Sequence, residues 1–99
     1  MSRQKLRVQT GEAFEVALDE PAATGHRWQL ADAGEGIAIL DERYEPPGPA
    51  SGLGAAGRRV VKLRVAGSGR HVLKFVLVRP RETRPAAEHD VEVDVIKPQ

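Results

Sequence analysis

The sequence contains no cysteine, which excludes disulfide bonds, thiolate metal sites and a cysteine nucleophile. Aromatic residues make up only 4 % of the chain, and there is a single tryptophan. Neither sign of charge dominates, because 15 Lys and Arg against 14 Asp and Glu leave a formal net charge of +1. Domains dedicated to nucleic acids usually carry a strongly basic face, so we expect no nucleic-acid partner.

Long apolar runs are also missing. The first twelve residues, MSRQKLRVQTGE, lack the apolar run of about 7–15 residues found in a secretory signal. No run approaches the ~18–20 apolar residues that span a bilayer. We therefore expect a cytoplasmic protein without a membrane partner. The 99 residues, 40 % of them apolar, suffice for one domain with its own core, over residues 1–99.

Apolar residues alternate with polar ones along most of the chain, and this period of two is typical of strands with one buried face. The alternation is clear in Phe14–Leu18, Val61–Val65 and Val91–Val95. The run His71–Val78 is apolar on both faces except at Lys74, which predicts a central strand. Shorter strands are predicted at Lys5–Val8, at Trp28–Leu30 and around Ile37–Ile39.

Helical patterns fit poorly. Ala31–Leu40 is the one candidate for a short helical turn, and Gly34 and Gly36 within it would each weaken a helix by ~1 kcal/mol relative to Ala. Seven short strands separated by turn signals predict an all-β fold, an Ig-like antiparallel β-sandwich. Two facing sheets are required because the apolar face of a single sheet would remain exposed to water.

Three segments are longer than ordinary turns: residues 19–27, residues 45–57 with three prolines and four glycines, and residues 79–90. Counting strands up and down, all three fall at the same end of the sandwich. Ala66–Gly69 is predicted to be a compact hairpin at the opposite end. Long loops clustered on a rigid scaffold commonly form recognition surfaces.

Six arginines in or beside these segments, counted against the three glutamates Glu20, Glu45 and Glu82, leave an excess of three positive charges that could steer an acidic partner. An ordinary solvated rim remains an equally good interpretation of each arginine taken alone. The charged residues in this count are Arg27, Arg58, Arg59, Arg79, Arg81 and Arg84, against Glu20, Glu45 and Glu82.

One segment, Gly52–Gly57, matches the dinucleotide-binding pattern G-x-G-x-x-G. That pattern works only between a strand and a helix, whose N-terminus meets the pyrophosphate. Prolines precede this segment and a strand-like run follows it. We therefore reject nucleotide binding and expect no cofactor.

Metal and catalytic sites find little support. The histidines are isolated in the sequence, and the acidic residues of the last strand are expected on a solvated outer face. No serine lies in a nucleophile elbow, so a hydrolase is not favoured and we expect neither a metal nor an enzyme. The residues considered were His26, His71 and His89, and Asp90, Glu92 and Asp94.

The three long segments resemble the chagasin family of cysteine-peptidase inhibitors. That family's first loop reads Asn-Pro-Thr-Thr-Gly-Tyr/Phe before a core tryptophan, which Thr24-Gly25 and Trp28 match. Its second loop is a glycine-rich segment before a strand, as in Leu53–Gly57. Its third reads Arg-Pro-Trp/Phe-Glu, which Arg79–Glu82 matches except at the third position. The order agrees as well, so the resemblance covers nearly the whole chain.

The chain departs from the family pattern at several loop positions. Pro21 stands where the family has Asn, and Ala22 and Ala23 replace Pro and Thr. His26 and Arg81 replace the aromatic residues of the first and third loops. Aromatic anchors often dominate interfaces. Their loss leaves open an alternative, a non-inhibitory protein-binding module on the same sandwich.

The resemblance implies a reversible, non-covalent inhibitor of papain-like cysteine peptidases, monomeric when free. In that family the three loops enter the active-site cleft as a wedge, with the first over the catalytic thiol and the others on either side. Trp28 is expected in the core. The residues expected to contact the peptidase are Ala23, Thr24, Gly25, His26, Gly54, Ala55, Ala56, Gly57, Arg79, Pro80 and Arg81.

Overall fold

The predicted strands are all present in a computed structural model, which describes residues 2–21, 23–32, 35–48 and 55–97. The described part of the chain contains no helix, and hence no helical segment that could cross a membrane. The candidate helical turn at Ala31–Leu40 is wrong, since its described residues lie in two strands and a turn. The strands are β1 Ser2–Gln9, β2 Ala13–Glu20, β3 Arg27–Asp32, β4 Ile37–Glu45, β5 Gly57–Val65, β6 Gly69–Val78 and β7 Ala87–Ile96.

The strands form two sheets. One has the order β1-β7-β6-β3 and the other the order β2-β5-β4. All neighbours are antiparallel except β1 and β7, which run parallel. The predicted all-β sandwich is therefore confirmed. β6 lies between β7 and β3, as expected of a central strand.

The core consists of the alternating apolar residues of the facing strands. Val16, Leu63, Leu73 and Phe75 are fully buried, and burial of side chains of this size contributes about 1.5–3 kcal/mol each. Trp28 is 7 % exposed and belongs to the same cluster, which confirms its assignment to the core. The sequence period of two thus accounts directly for the interior of the sandwich.

The outer face of β6 is apolar but partly exposed. Val72 is half exposed, and Val76 and Val78 are only partly buried, although the strand is central in its sheet. In the described residues, no third layer covers this sheet. Of the acidic residues of β7, Glu92 and Asp94 lie on the outer face as predicted, 3.8 and 3.9 Å from cations of β1. Asp90 is buried, so its assignment to a solvated face is wrong.

The connection Ala66–Gly69 is not a hairpin. β5 and β6 belong to different sheets and do not pair, so this segment crosses from one sheet to the other. A short turn between two strands suggests pairing in sequence, but in a sandwich the same length can bridge the two layers. Its position at the end opposite the long loops is as predicted.

Strand register places the ends of the three long loops at one end of the sandwich. Glu20, which ends β2, pairs with Gly57, which begins β5. Glu45, at the end of β4, pairs with Arg58. Arg27 at the start of β3 pairs with Val78 at the end of β6. The connections β2–β3, β4–β5 and β6–β7 therefore all leave the scaffold from the same end.

Candidate functional site

A cleft of about 810 Å³ opens at this end, between loop 1 (residues 21–26, β2 to β3) and loop 3 (residues 79–86, β6 to β7). It brings together five of the residues expected from the sequence to bind a partner: Gly25, His26, Arg79, Pro80 and Arg81. Its remaining lining comes from Pro21 and Glu82 of the same loops and from strand residues, including Tyr44 of β4 and Arg59 of β5. Two of the three predicted recognition loops therefore share one continuous surface.

The base of loop 1 is held by Glu20, whose side chain is buried. Glu20 Oε1 accepts hydrogen bonds from the Trp28 backbone N–H at 2.8 Å and from Arg59 Nε at 3.1 Å. Its Oε2 accepts from Arg59 Nη2 at 2.7 Å. Because these residues belong to β2, β3 and β5, the carboxylate joins both sheets beneath the cleft.

Glu20 also accepts a hydrogen bond from a backbone N–H at the free edge of a sheet. β3 is the last strand of its sheet, so backbone groups that point away from β6 have no neighbouring strand. The Trp28 backbone N–H donates to the Glu20 carboxylate, and the Trp28 indole Nε1 donates to the Asp19 carbonyl at 2.7 Å. The residue that enters the core after loop 1 is thereby tied twice to the strand that precedes the loop.

Arg59 is committed to this internal network. Its side chain is 12 % exposed, its Nη1 lies 3.7 Å from Glu42 Oε1, and its guanidinium carbon is 5.5 Å from the Tyr44 ring centroid. The hydrogen bond with Glu20 is the main cause that raises the pKa of Arg59 above its ordinary value. Arg59 is therefore not one of the arginines presented to a partner, contrary to the count made from the sequence.

Loop 1 owes its shape to a glycine and a threonine. Gly25 has φ = +79°, although a Cβ added there would meet nothing within 4 Å. Glycine is thus required by the backbone conformation and not by lack of space. Thr24 Oγ1 accepts from the His26 N–H at 3.4 Å and lies 2.7 Å from His26 Nδ1. Ala23, Thr24 and Gly25 are exposed, and His26 is half buried.

Loop 3 begins with a tight turn over Arg79–Glu82, closed by a hydrogen bond from the Glu82 N–H to the Arg79 carbonyl at 3.2 Å. Pro80 sits at the second position and Arg81, with φ = +71°, at the third, which is the pattern of a type II turn. A positive φ is energetically unfavourable for most residues other than glycine. Arg81 adopts this conformation within a turn whose first and last residues are joined by a backbone hydrogen bond.

The turn is also bridged by an ion pair between the side chains of Arg79 and Glu82. The hydrogen bond from Arg79 is the main cause that lowers the pKa of Glu82, and the nearby His26 lowers it further. His26 of loop 1 and Glu82 of loop 3 both line the cleft. Arg79 thus braces its own loop.

Loop 2 (residues 46–56, β4 to β5) contributes differently. Gly54, one of the predicted contacts, lies outside the described residues; Ala55 is half buried and Ala56 exposed. Gly57 is buried at the start of β5, where an added Cβ would lie 2.3 Å from Tyr44 Oη and 2.6 Å from the Glu45 carbonyl oxygen. Its lack of a side chain lets β4 and β5 approach, so it shapes the loop from below.

Sequence reasoning missed the inward orientation of Glu20 and Arg59, which it counted with the charged rim. A signal was available in the strand period. Glu20 follows Val16 and Leu18 on the same face of β2, and Arg59 precedes Val61 on the core face of β5. Extending the alternation by one position would have predicted that this acid and this base face each other at the end of the sandwich.

No metal centre is found within the described ranges, where no group of three or more His, Asp or Glu side chains is placed to hold an ion. His26 lines the cleft, while His71 Nε2 lies 3.0 Å from the Gly67 carbonyl oxygen at the other end. His89 Nε2 lies 3.3 Å from Gln4 Oε1, and burial is the main cause that lowers the pKa of this histidine.

Comparisons with known proteins agree with this architecture. The family model described as "Chagasin family peptidase inhibitor I42" matches residues 7–95. Comparison with curated protein sequences gave no significant match.

Three solved structures with the same fold cover nearly all of this chain. The cysteine protease inhibitor EhICP2 from Entamoeba histolytica has a TM-score of 0.72 at 16 % identity, over 95 % of this chain and 96 % of that one. Leishmania mexicana ICP has a TM-score of 0.66 at 21 % identity, over 96 % and 90 %. PbICP-C, solved in complex with falcipain-2, has a TM-score of 0.58 at 17 % identity, over 98 % and 88 %.

The buried ion pair yields a stability prediction. Replacing Glu20 by Ala should lower the free energy of unfolding by about 3–5 kcal/mol, because Arg59 would stay largely buried without its partner. Urea unfolding followed by tryptophan fluorescence measures the change. Glu45→Ala is the matched control, since Glu45 pairs with Arg43 at the exposed surface, where such pairs contribute about 0–1 kcal/mol. Equal losses in the two variants would contradict a special role of Glu20.

The ion pair in loop 3 yields a prediction about pH. Glu82 should titrate below the ordinary glutamate value of 4.5, and Arg79→Gln should move its pKa upward. Because the pKa of Glu82 is depressed in the folded state, the ion pair stabilises the turn fully when the pH is above the ordinary glutamate pKa. This stabilisation is lost as the pH falls through the pKa of Glu82 in the folded state.

Carbon-detected NMR of the Glu82 carboxyl over pH 2–7 measures this shift. Arg84→Gln removes the same charge from the same loop and should leave the Glu82 titration unchanged. An Arg79→Gln variant with the wild-type midpoint would show that the pair does not form in solution.

Proposed function

The chain belongs to the chagasin family of peptidase inhibitors, and we propose that it inhibits papain-like cysteine peptidases reversibly and without covalent chemistry. Loops 1, 2 and 3 would occupy the active-site cleft of the peptidase and exclude its substrates. Such a mechanism needs no catalytic group, metal or cofactor in the chain. A structural neighbour in complex with falcipain-2 supports a papain-like peptidase as the partner.

One observation carries the proposal: the strand register that gathers the ends of all three loops at one end of a rigid sandwich. Loops 1 and 3 line a common cleft, to which His26 and Glu82 both contribute. A papain-like cleft accepts an extended chain, and a protruding edge built from neighbouring loops suits that shape. The same loops scattered over the surface could not fill it.

Loop 1 is suited to cover the catalytic thiol. Thr24 and Gly25 are exposed at its tip, and Gly25 has no side chain to hinder the approach of its backbone. The loop is ordered before binding by the Thr24–His26 hydrogen bonds and by the attachment of its base through Glu20. A preordered loop loses little conformational entropy on docking, so a modest contact area can bind tightly.

Loops 2 and 3 would flank loop 1 in the peptidase cleft. Arg79, Pro80 and Arg81 are exposed in the closed turn of loop 3. On the other side, residues 54–56 would make the contacts, and Gly57 would support them from its buried position. We assign Arg79 mainly to bracing, since its guanidinium is already paired with Glu82.

The replacement of the family's loop aromatics by His26 and Arg81 favours a second candidate, a non-inhibitory module that binds a different protein through the same end. The two candidates differ in a single measurement. Titration of papain and of a cathepsin-like enzyme with the pure protein should abolish turnover of a peptide substrate reversibly. Undiminished turnover at micromolar excess would reject inhibition of these enzymes and favour the second candidate.

Loop 1 can be tested with a matched pair of glycines. Gly25→Ala should lower the free energy of unfolding by about 1 kcal/mol, because a positive φ is unfavourable for Ala. It should also raise the inhibition constant by about tenfold or more, since 1.4 kcal/mol of lost fit is a factor of ten.

Gly11 is the control. Its φ is +80°, a Cβ added there also meets nothing within 4 Å, and it lies in the β1–β2 turn at the opposite end. Gly11→Ala should therefore reduce stability similarly while leaving the inhibition constant at the wild-type value. Equal inhibition by both variants would show that loop 1 does not enter the cleft.

A further inference from the structure

We propose that the loop end is built to select peptidases with an acidic cleft rim, through four arginines that the fold leaves without a carboxylate partner. This inference rests on the proposed function and adds the chemistry of the partner to it. The four are Arg27, Arg58, Arg81 and Arg84.

At this end of the sandwich, some of the arginines are paired with glutamates and others are not. Two of the six arginines counted from the sequence are paired with glutamates, Arg59 with Glu20 in the interior and Arg79 with Glu82 at the surface. The third glutamate of that count, Glu45, lies 3.2 Å from Arg43 on the outer face of its sheet. Glu88, near the start of β7, lies 3.6 Å from Lys74, so each of these glutamates already has a cationic partner.

The four remaining arginines are exposed, and none has a carboxylate oxygen within 4.0 Å among the described residues. The undescribed residues of loops 1 and 2, which are 22 and 49–54, include no Asp or Glu in the sequence. By strand register Arg58 lies opposite two acids, Asp19 on β2, which is exposed, and Glu45 on β4, although neither forms an ion pair with it. A clear positive excess thus persists at the loop end of a chain whose total charge is only +1.

The distribution of these arginines follows the three loops. Arg27 comes directly after loop 1, Arg58 is the second residue of β5 after loop 2, and Arg81 and Arg84 belong to loop 3. Arg27 and Arg81 also line the shared cleft. Each loop therefore contains or adjoins at least one arginine without an ion-pair partner, beside the surface that would face the peptidase.

Such cations act mainly on the rate of association. Surface charges of complementary sign accelerate diffusional encounter and act over about 8 Å at physiological salt. Arginine also offers a planar fork of donors that fits a carboxylate with two hydrogen bonds. Arg81 stands where the family has an aromatic anchor, so loop 3 exchanges an apolar contact for one that discriminates by charge.

The test compares two charge-matched double variants by stopped-flow binding at 50 and 300 mM salt. The partner is an inhibited papain-like peptidase with an acidic cleft rim. Arg27→Gln/Arg81→Gln removes the two cleft arginines. Arg64→Gln/Arg70→Gln removes two exposed arginines near the Ala66–Gly69 connection, at the far end. The first variant should associate about tenfold more slowly at low salt and with a weaker salt dependence, while the control should match the wild type.

A second arm uses two papain-like peptidases, one with an acidic and one with a basic rim around the active-site cleft. The wild type should associate faster with the acidic one, and the difference should shrink in the Arg27→Gln/Arg81→Gln variant. Equal rates for the two peptidases, or for the two double variants, would overturn the inference while inhibition itself stood. Absence of inhibition of any papain-like peptidase would overturn the proposed function and this inference together.

Discussion

The fold depends on a carboxylate, Glu20, placed where two sheets and two loops meet. Burying a charge is costly unless its oxygens are fully satisfied, and here each oxygen accepts from Arg59 while one also accepts the Trp28 N–H. An apolar side chain could fill the same space but could not hold a backbone N–H at the edge of β3. The pair therefore fixes where loop 1 begins and ends, which hydrophobic packing alone would leave less precisely defined.

Beyond Glu20, the shapes of the loops depend on local backbone conformation and not on a hydrophobic core. Gly25 and Arg81 hold positive φ values in loops 1 and 3, and Gly57 lets β4 and β5 close beneath loop 2. Each constraint is local, and each acts within a few residues of the anchored strand ends. A binding surface of irregular backbone can therefore be rigid although few apolar side chains support it.

Much of this architecture follows from the sequence because sandwich strands follow a period of two. The alternation, with one run that is apolar on both faces, predicted every strand and the burial of Trp28, and the strand count placed the long loops at one end. It failed where charge overrode periodicity, since Glu20 and Arg59 were interpreted as surface residues from their chemistry alone. It also failed at Ala66–Gly69, because loop length does not distinguish a hairpin from a crossing between sheets. The backbone of Arg81 could not be predicted, since nothing in its side chain favours a positive φ.

The exchange of aromatic anchors for charge changes what kind of complex these loops can form. An aromatic side chain gains its free energy after docking, when it fills a pocket, so it mainly slows dissociation. An exposed arginine acts before contact, because its field reaches beyond its own surface. Four unpaired arginines around loops held rigid by Glu20 therefore favour rapid capture of an acidic partner. Rigidity matters for this as well, since a steered encounter is productive only if the loops already have the shape that the cleft accepts.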